Sequence, residues 1–84
     1  MAAIRAIKLE RVNKRAPKDF AVYNAIVVQQ CDMGGWHDTR HYVGNLLLYV
    51  ESVPTNVITD ISTIENAVLR EVCLDLMHEA AGKE

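Results

Sequence analysis

Two long stretches rich in apolar residues flank a pair of glycines near the middle of the chain. Gly34-Gly35 is a dipeptide that accepts positive φ at both central positions of a two-residue turn. The pattern therefore predicts one long antiparallel β-hairpin over residues 20–51. If the two glycines form the turn, Met33 lies opposite Trp36.

Both faces of this predicted hairpin carry apolar side chains. On the first face the register places Tyr23, Ala25, Val27, Tyr42, Gly44, Leu46, Leu48 and Val50. On the second face it places Val22, Ile26, Val28, Val43, Leu47 and Tyr49. An antiparallel sheet with one solvated face should alternate apolar and polar residues, so each face of this hairpin needs a cover.

A helix is predicted over residues 60–81, which contain neither proline nor glycine. Ser62-Thr63-Ile64-Glu65 fits a capping box at its start, and Asp60 is an earlier alternative cap. At 100° per residue, the apolar side chains cover an arc of about 220°, which is wider than packing on one sheet requires.

The first eighteen residues are predicted to form a basic strand and loop. Their alanine content and the spacing of their basic residues would equally suit a helix. A strand is favoured because a two-stranded ribbon alone is only marginally stable. The predicted fold class is therefore α+β, in a single small domain over residues 1–84. A three-stranded antiparallel sheet with a long central hairpin carries one C-terminal helix on one face.

The net charge of −2 conceals an asymmetry along the chain. Residues 1–18 hold six basic side chains and one acidic, net +5, whereas residues 19–84 hold three basic and ten acidic, net −7. A basic segment can contact phosphates, so nucleic-acid binding is an alternative function. Its candidate residues are Arg5, Lys8, Arg11, Lys14, Arg15 and Lys18. No nucleic-acid-binding motif accompanies them, and the aromatic residues are not interleaved with them.

The spacing of cysteine and histidine residues gives little support for a metal site. Cys31, His37 and His41 have suitable ligand chemistry, with Cys73 or His78 as a possible fourth ligand. The spacing matches no standard zinc pattern, and the predicted register places both histidines on the face opposite Cys31. A small metal-binding domain is thus the least favoured function, and neither a metal nor a cofactor is predicted.

Several other classes of protein are disfavoured. No apolar run reaches the length needed to span a bilayer, and the N-terminal residues lack the apolar stretch of a signal peptide. Two cysteines are too few for a disulfide scaffold, which favours a cytoplasmic location. No catalytic motif is present, so the chain is not predicted to be an enzyme.

The favoured function is a non-catalytic protein–protein interaction module, an accessory or inhibitory regulator of the small, phage-like kind that binds a larger protein. The predicted partner-binding residues are Met33, Gly34, Gly35 and Trp36 at the turn and Glu71, Asp75 and Glu79 on the helix. Trp36 could instead pack back over the end of the sheet. The second-face residues Val22, Ile26, Val28, Val43, Leu47 and Tyr49 are assigned to a homodimer interface.

Overall fold

The α+β fold is confirmed by a computed structural model, which describes residues 4–82. One antiparallel sheet has the strand order β1-β2-β3, and the helix α1 packs on one of its faces. Its elements are β1 (Arg5–Val12), β2 (Phe20–Gln30), β3 (Trp36–Tyr49) and α1 (Ala67–Gly82), with single 3-10 turns at Val50–Ser52 and Ile61–Thr63. Residues 1–3 of the predicted basic strand lie outside the described residues. Within residues 4–82, no helix is both long enough and apolar enough to cross a membrane.

The hairpin register agrees with the prediction at its open end and departs from it toward the turn. Phe20 lies opposite Tyr49, as predicted, whereas Gln30 lies opposite Trp36. The difference arises because β3 has 14 residues and β2 has 11. The surplus residues of β3 form two bulged regions, where Arg40 and Asn45 adopt φ values of 67° and 65°.

The turn is longer than the two-residue loop predicted from Gly34-Gly35. It contains the five residues between Gln30 and Trp36, and only Gly34 of the two glycines adopts positive φ, at 89°. The predicted pairing of Met33 with Trp36 is therefore wrong. The longer turn and the two bulges together account for the difference in strand length. Neither feature is indicated by the local pattern of apolar and polar residues.

The bulges also move side chains of β3 between the two faces of the sheet. Val43 packs against the core under α1, so its predicted place on the second face is wrong. Tyr42 pairs with Ile26 and therefore lies on the second face, not the first. Because side chains alternate with a period of two, one inserted residue is enough to reverse the face of its neighbours.

The main core lies between the first face and α1. The sheet contributes Ile7, Tyr23, Ala25, Val27 and Leu48, among others, and the helix contributes Leu69, Cys73, Leu76 and Ala80. These helix residues recur every three or four positions and form one narrow stripe. Most of the wide apolar arc predicted for the helix faces this core, since Val72 and Met77 also pack partly buried against it, whereas Val68 remains 72% exposed.

The helix begins at Ala67, not at residue 60. The side chain of Asn66 accepts a hydrogen bond from the Leu69 N–H at 3.0 Å and is the N-cap. Asp60 instead caps the preceding 3-10 turn by accepting from the Ser62 N–H at 3.1 Å, and hydrogen bonds from Ser62 hold the pKa of Asp60 below its ordinary value. The capping box predicted at Ser62 is wrong because Ile64 adopts an extended conformation and is buried in the main core.

Candidate functional site

The two edges of the sheet differ in how they are covered. On the β1 edge, the Ile7 N–H donates to the Ile58 carbonyl at 2.9 Å, and the Ile58 N–H donates back at 2.8 Å. Among the described strands, β3 pairs only with β2, which leaves its outer edge open. An open strand edge presents backbone donors and acceptors to which another strand can pair.

The regular part of the open edge lies between the second bulge and the turn that starts at Val50. The Val50 N–H donates to the Asp19 carbonyl at 3.0 Å, toward the β2 side. Because backbone groups alternate in direction along an antiparallel strand, those of Leu47 and Tyr49 point outward. The Tyr49 carbonyl accepts from Ser52 Oγ at 2.9 Å. The groups left for pairing are the N–H and carbonyl of Leu47 and the N–H of Tyr49.

Four large, exposed apolar side chains lie on the second face, on β3 and at the start of β2, and we call them the edge patch. Its members are Phe20, Tyr42, Leu47 and Tyr49. Tyr42 is 62% exposed and Leu47 is 50% exposed, while the rings of Phe20 and Tyr49 meet edge to face at 5.0 Å. Exposed apolar and tyrosine side chains near an open strand edge are typical of an interaction surface.

The remaining second-face residues are already covered by the chain itself. Ala6, Ile26 and Val28 are buried in a second cluster, against which Trp36 and Val57 pack. Val22 is also buried within the single chain. Of the residues predicted for a dimer interface, Leu47 and Tyr49 remain exposed on the second face. Phe20 and Tyr42 complete the edge patch and were not predicted; Tyr42 was missed because the bulge that redirects it has no local signal.

The residues predicted at the turn do not form one surface. Met33 is 99% exposed and projects into solvent, whereas Trp36 is partly buried against the second cluster. This position corresponds to the alternative in which Trp36 packs over the end of the sheet. On α1, the predicted residues Glu71, Asp75 and Glu79 are exposed and lie away from the buried stripe.

The basic residues lie on β1 and on the loop that follows it. Lys8 Nζ is 3.5 Å from Glu10 Oε2 and 3.6 Å from Asp38 Oδ1, and Lys14 Nζ donates to Asn45 Oδ1 at 2.6 Å. Arg11, Arg15 and Lys18 are exposed. Part of the basic segment therefore contacts the chain's own polar groups.

The candidate metal ligands considered from the sequence do not converge. Within residues 4–82, no three histidine, cysteine or acidic side chains are grouped so that they could hold a metal ion. Cys31 and His37 do meet, with Sγ 2.7 Å from Nδ1, so the prediction that they occupy opposite faces is wrong. The five-residue turn is the reason, because it shifts the register at this end of the hairpin. Cys73 is fully buried in the main core, and this burial raises the pKa of its thiol to about 11.

One open cavity of about 310 Å³ lies between the end of β3 and the start of α1. Its lining includes Leu48, Pro54, Ile64, Asn66 and the carboxylates of Glu51 and Glu65. No histidine, cysteine or basic side chain lines it.

No family model matches the chain, and no curated protein or solved structure matches it significantly.

Proposed function

We propose that this chain is a non-catalytic protein–protein interaction module that associates through the open edge of β3, with a second copy of the chain as its partner. The observation that carries the proposal is Leu47, whose backbone groups point outward from an open edge and whose side chain is 50% exposed beside it. A strand of a larger protein would compete for the same edge, which is compatible with a regulatory role.

Antiparallel pairing of two β3 strands about a two-fold axis suits this surface. Such an axis brings the same residues of both copies together, so the edge patch of one copy lies beside that of the other. Each backbone hydrogen bond gained contributes about 0.5–1.5 kcal/mol. Burying the exposed half of Leu47 contributes about 1 kcal/mol per copy, since full burial of a leucine is worth about 1.5–3 kcal/mol.

Nucleic-acid binding through the basic segment, the alternative function, has less support than association through the β3 edge. Lys8 lies near two carboxylates and Lys14 donates to an amide, so Arg11, Arg15 and Lys18 would have to provide most of the contacts to phosphate. The rest of the chain, with a net charge of −7 over residues 19–84, would repel a polyanion.

The test compares Leu47→Lys with Leu74→Lys by sedimentation equilibrium over a range of concentrations. Both variants replace a leucine of similar exposure, 50% and 44%, but Leu74 lies on α1, away from the edge. Because each dimer contains two copies of Leu47, we expect a loss of about 2 kcal/mol, or about 30-fold weaker dimerisation. Leu74→Lys should leave the dissociation constant within about threefold of the parent value.

A parent chain that stays monomeric at about 1 mM would contradict the proposal, because its association free energy would then be weaker than about −4 kcal/mol. Equal weakening by both variants would also contradict it, since the effect would then follow from added charge and not from the edge. If the monomer instead binds an oligonucleotide at low salt, with an affinity that falls steeply as salt rises, the basic segment is the functional surface.

A further inference from the structure

The turn of the hairpin places a thiol and an imidazole in direct contact. Cys31 Sγ lies 2.7 Å from His37 Nδ1. Cys31 is held by two backbone hydrogen bonds, one from its N–H to the Gly35 carbonyl at 2.7 Å and one from the Gly34 N–H to its carbonyl at 2.9 Å. His37 is held by strand pairing opposite Gln29. The contact therefore joins two ordered backbone segments.

The surroundings of the pair favour a reactive thiol. Cys31 is partly exposed, His37 is exposed, and solvent surrounds the neighbouring Met33. Arg5 pairs with Gln29, which pairs with His37, so Arg5 lies in the same cross-strand row, on the strand beyond Gln29. The nearest acidic groups in sequence are Asp32 in the turn and Asp38, whose carboxylate lies near Lys8. Accessible thiols beside basic groups are the cysteines that react.

Cys73 provides a natural contrast within the same chain. It is fully buried in the main core, and its raised pKa of about 11 keeps it in the thiol form near neutral pH. A reagent in solution can reach Cys31 but cannot reach Cys73 until the protein unfolds. Any thiol chemistry of the folded protein therefore belongs to Cys31.

We propose that Cys31 and His37 form a nucleophile–base pair that reacts with low-molecular-weight disulfides. His37 Nδ1 accepts the proton of the Cys31 thiol, and the thiolate lone pair attacks one sulfur of the disulfide. A new S–S bond forms as the old S–S bond breaks, and the departing thiolate takes a proton from the imidazolium or from water. The products are a mixed disulfide on Cys31 and one free small thiol, and the exchange needs no external oxidant or reductant. The exchange is reversible by an excess of that thiol.

The test measures the rate of reaction of the native protein with the chromogenic disulfide DTNB near neutral pH. We expect one fast-reacting thiol per chain, which Cys31→Ser removes, and a second that reacts only in denaturant. His37→Gln and His37→Asn should slow the fast phase by about tenfold or more, because a positioned general base contributes at least that much. His41→Gln, which changes the other histidine of β3, is the matched control and should react at the parent rate.

Two further readouts distinguish a base from a structural role. Far-UV circular dichroism and the melting temperature should be unchanged in the His37 variants, since the side chain is exposed. A rise in solvent pH should bring the rates of the variants toward the parent rate, because hydroxide in solution can take the proton in place of His37. Equal rates for the parent and both His37 variants near neutral pH would overturn the proposal. A fast phase that persists in Cys31→Ser would overturn it as well.

Discussion

Replacing Trp36 with alanine tests whether this side chain stabilises the fold or serves as an exposed anchor for a partner. Trp36 is partly buried against Ala6, Ile26 and Val28, so the substitution uncovers the second cluster and leaves a cavity. Truncation of a fully buried tryptophan costs about 3–5 kcal/mol. Because Trp36 keeps part of its exposure, we expect a loss of about 2–3 kcal/mol in the free energy of unfolding.

This loss is large for a chain of 84 residues, because small domains have about 5–15 kcal/mol of total stability. It corresponds to a melting temperature lower by about 10–20 °C. Urea unfolding followed by far-UV circular dichroism is the appropriate assay, since the variant lacks the only tryptophan of the chain. Met33→Ala is the control, because Met33 lies three residues away and is 99% exposed; it should change the unfolding free energy by less than about 0.5 kcal/mol.

The refuting result is a Trp36→Ala variant whose unfolding free energy matches that of Met33→Ala. Trp36 would then contribute nothing to the second cluster, and the interpretation of its indole as an anchor for another protein would be preferred. A loss of unfolding free energy within the predicted range, with the slope against urea concentration unchanged, would show that Trp36 stabilises the fold.

Two other predictions concern the helix. Asn66→Ala should destabilise the protein by about 1 kcal/mol, because the helix loses its N-cap, and Ser62→Ala should destabilise it by less than half of that amount. If chemical unfolding gave the reverse order, a helix start at Ala67 would be contradicted. As pH rises from about 9 to about 11, the unfolded state loses the Cys73 proton while the folded state keeps it, so stability should fall by up to about 3 kcal/mol. The free energy of unfolding measured across this pH range should decline less steeply for Cys73→Ala than for the parent chain. Parallel curves for the two proteins would refute the attribution of the decline to Cys73.

The candidate site could be predicted only in part. The alternation of apolar residues identifies Leu47 and Tyr49 as second-face residues, because their register is counted over the regular pairs near the open end of the hairpin. Val22, Ile26 and Val28 were predicted beside them, but Trp36, Val57 and neighbouring strands bury them within one chain. Burial depends on which distant segments arrive at a face, and no local pattern reports that.

The amino-acid sequence by itself determined the number, type and order of the main elements and the apolar face of β2. It could do so because strand and helix periodicity are properties of neighbouring residues. Tertiary structure decided the bulges at Arg40 and Asn45, and with them the exposure of Tyr42 and the meeting of Cys31 with His37. It also moved the helix start to Ala67, because burying Ile64 in the core outweighed a capping signal worth about 1 kcal/mol.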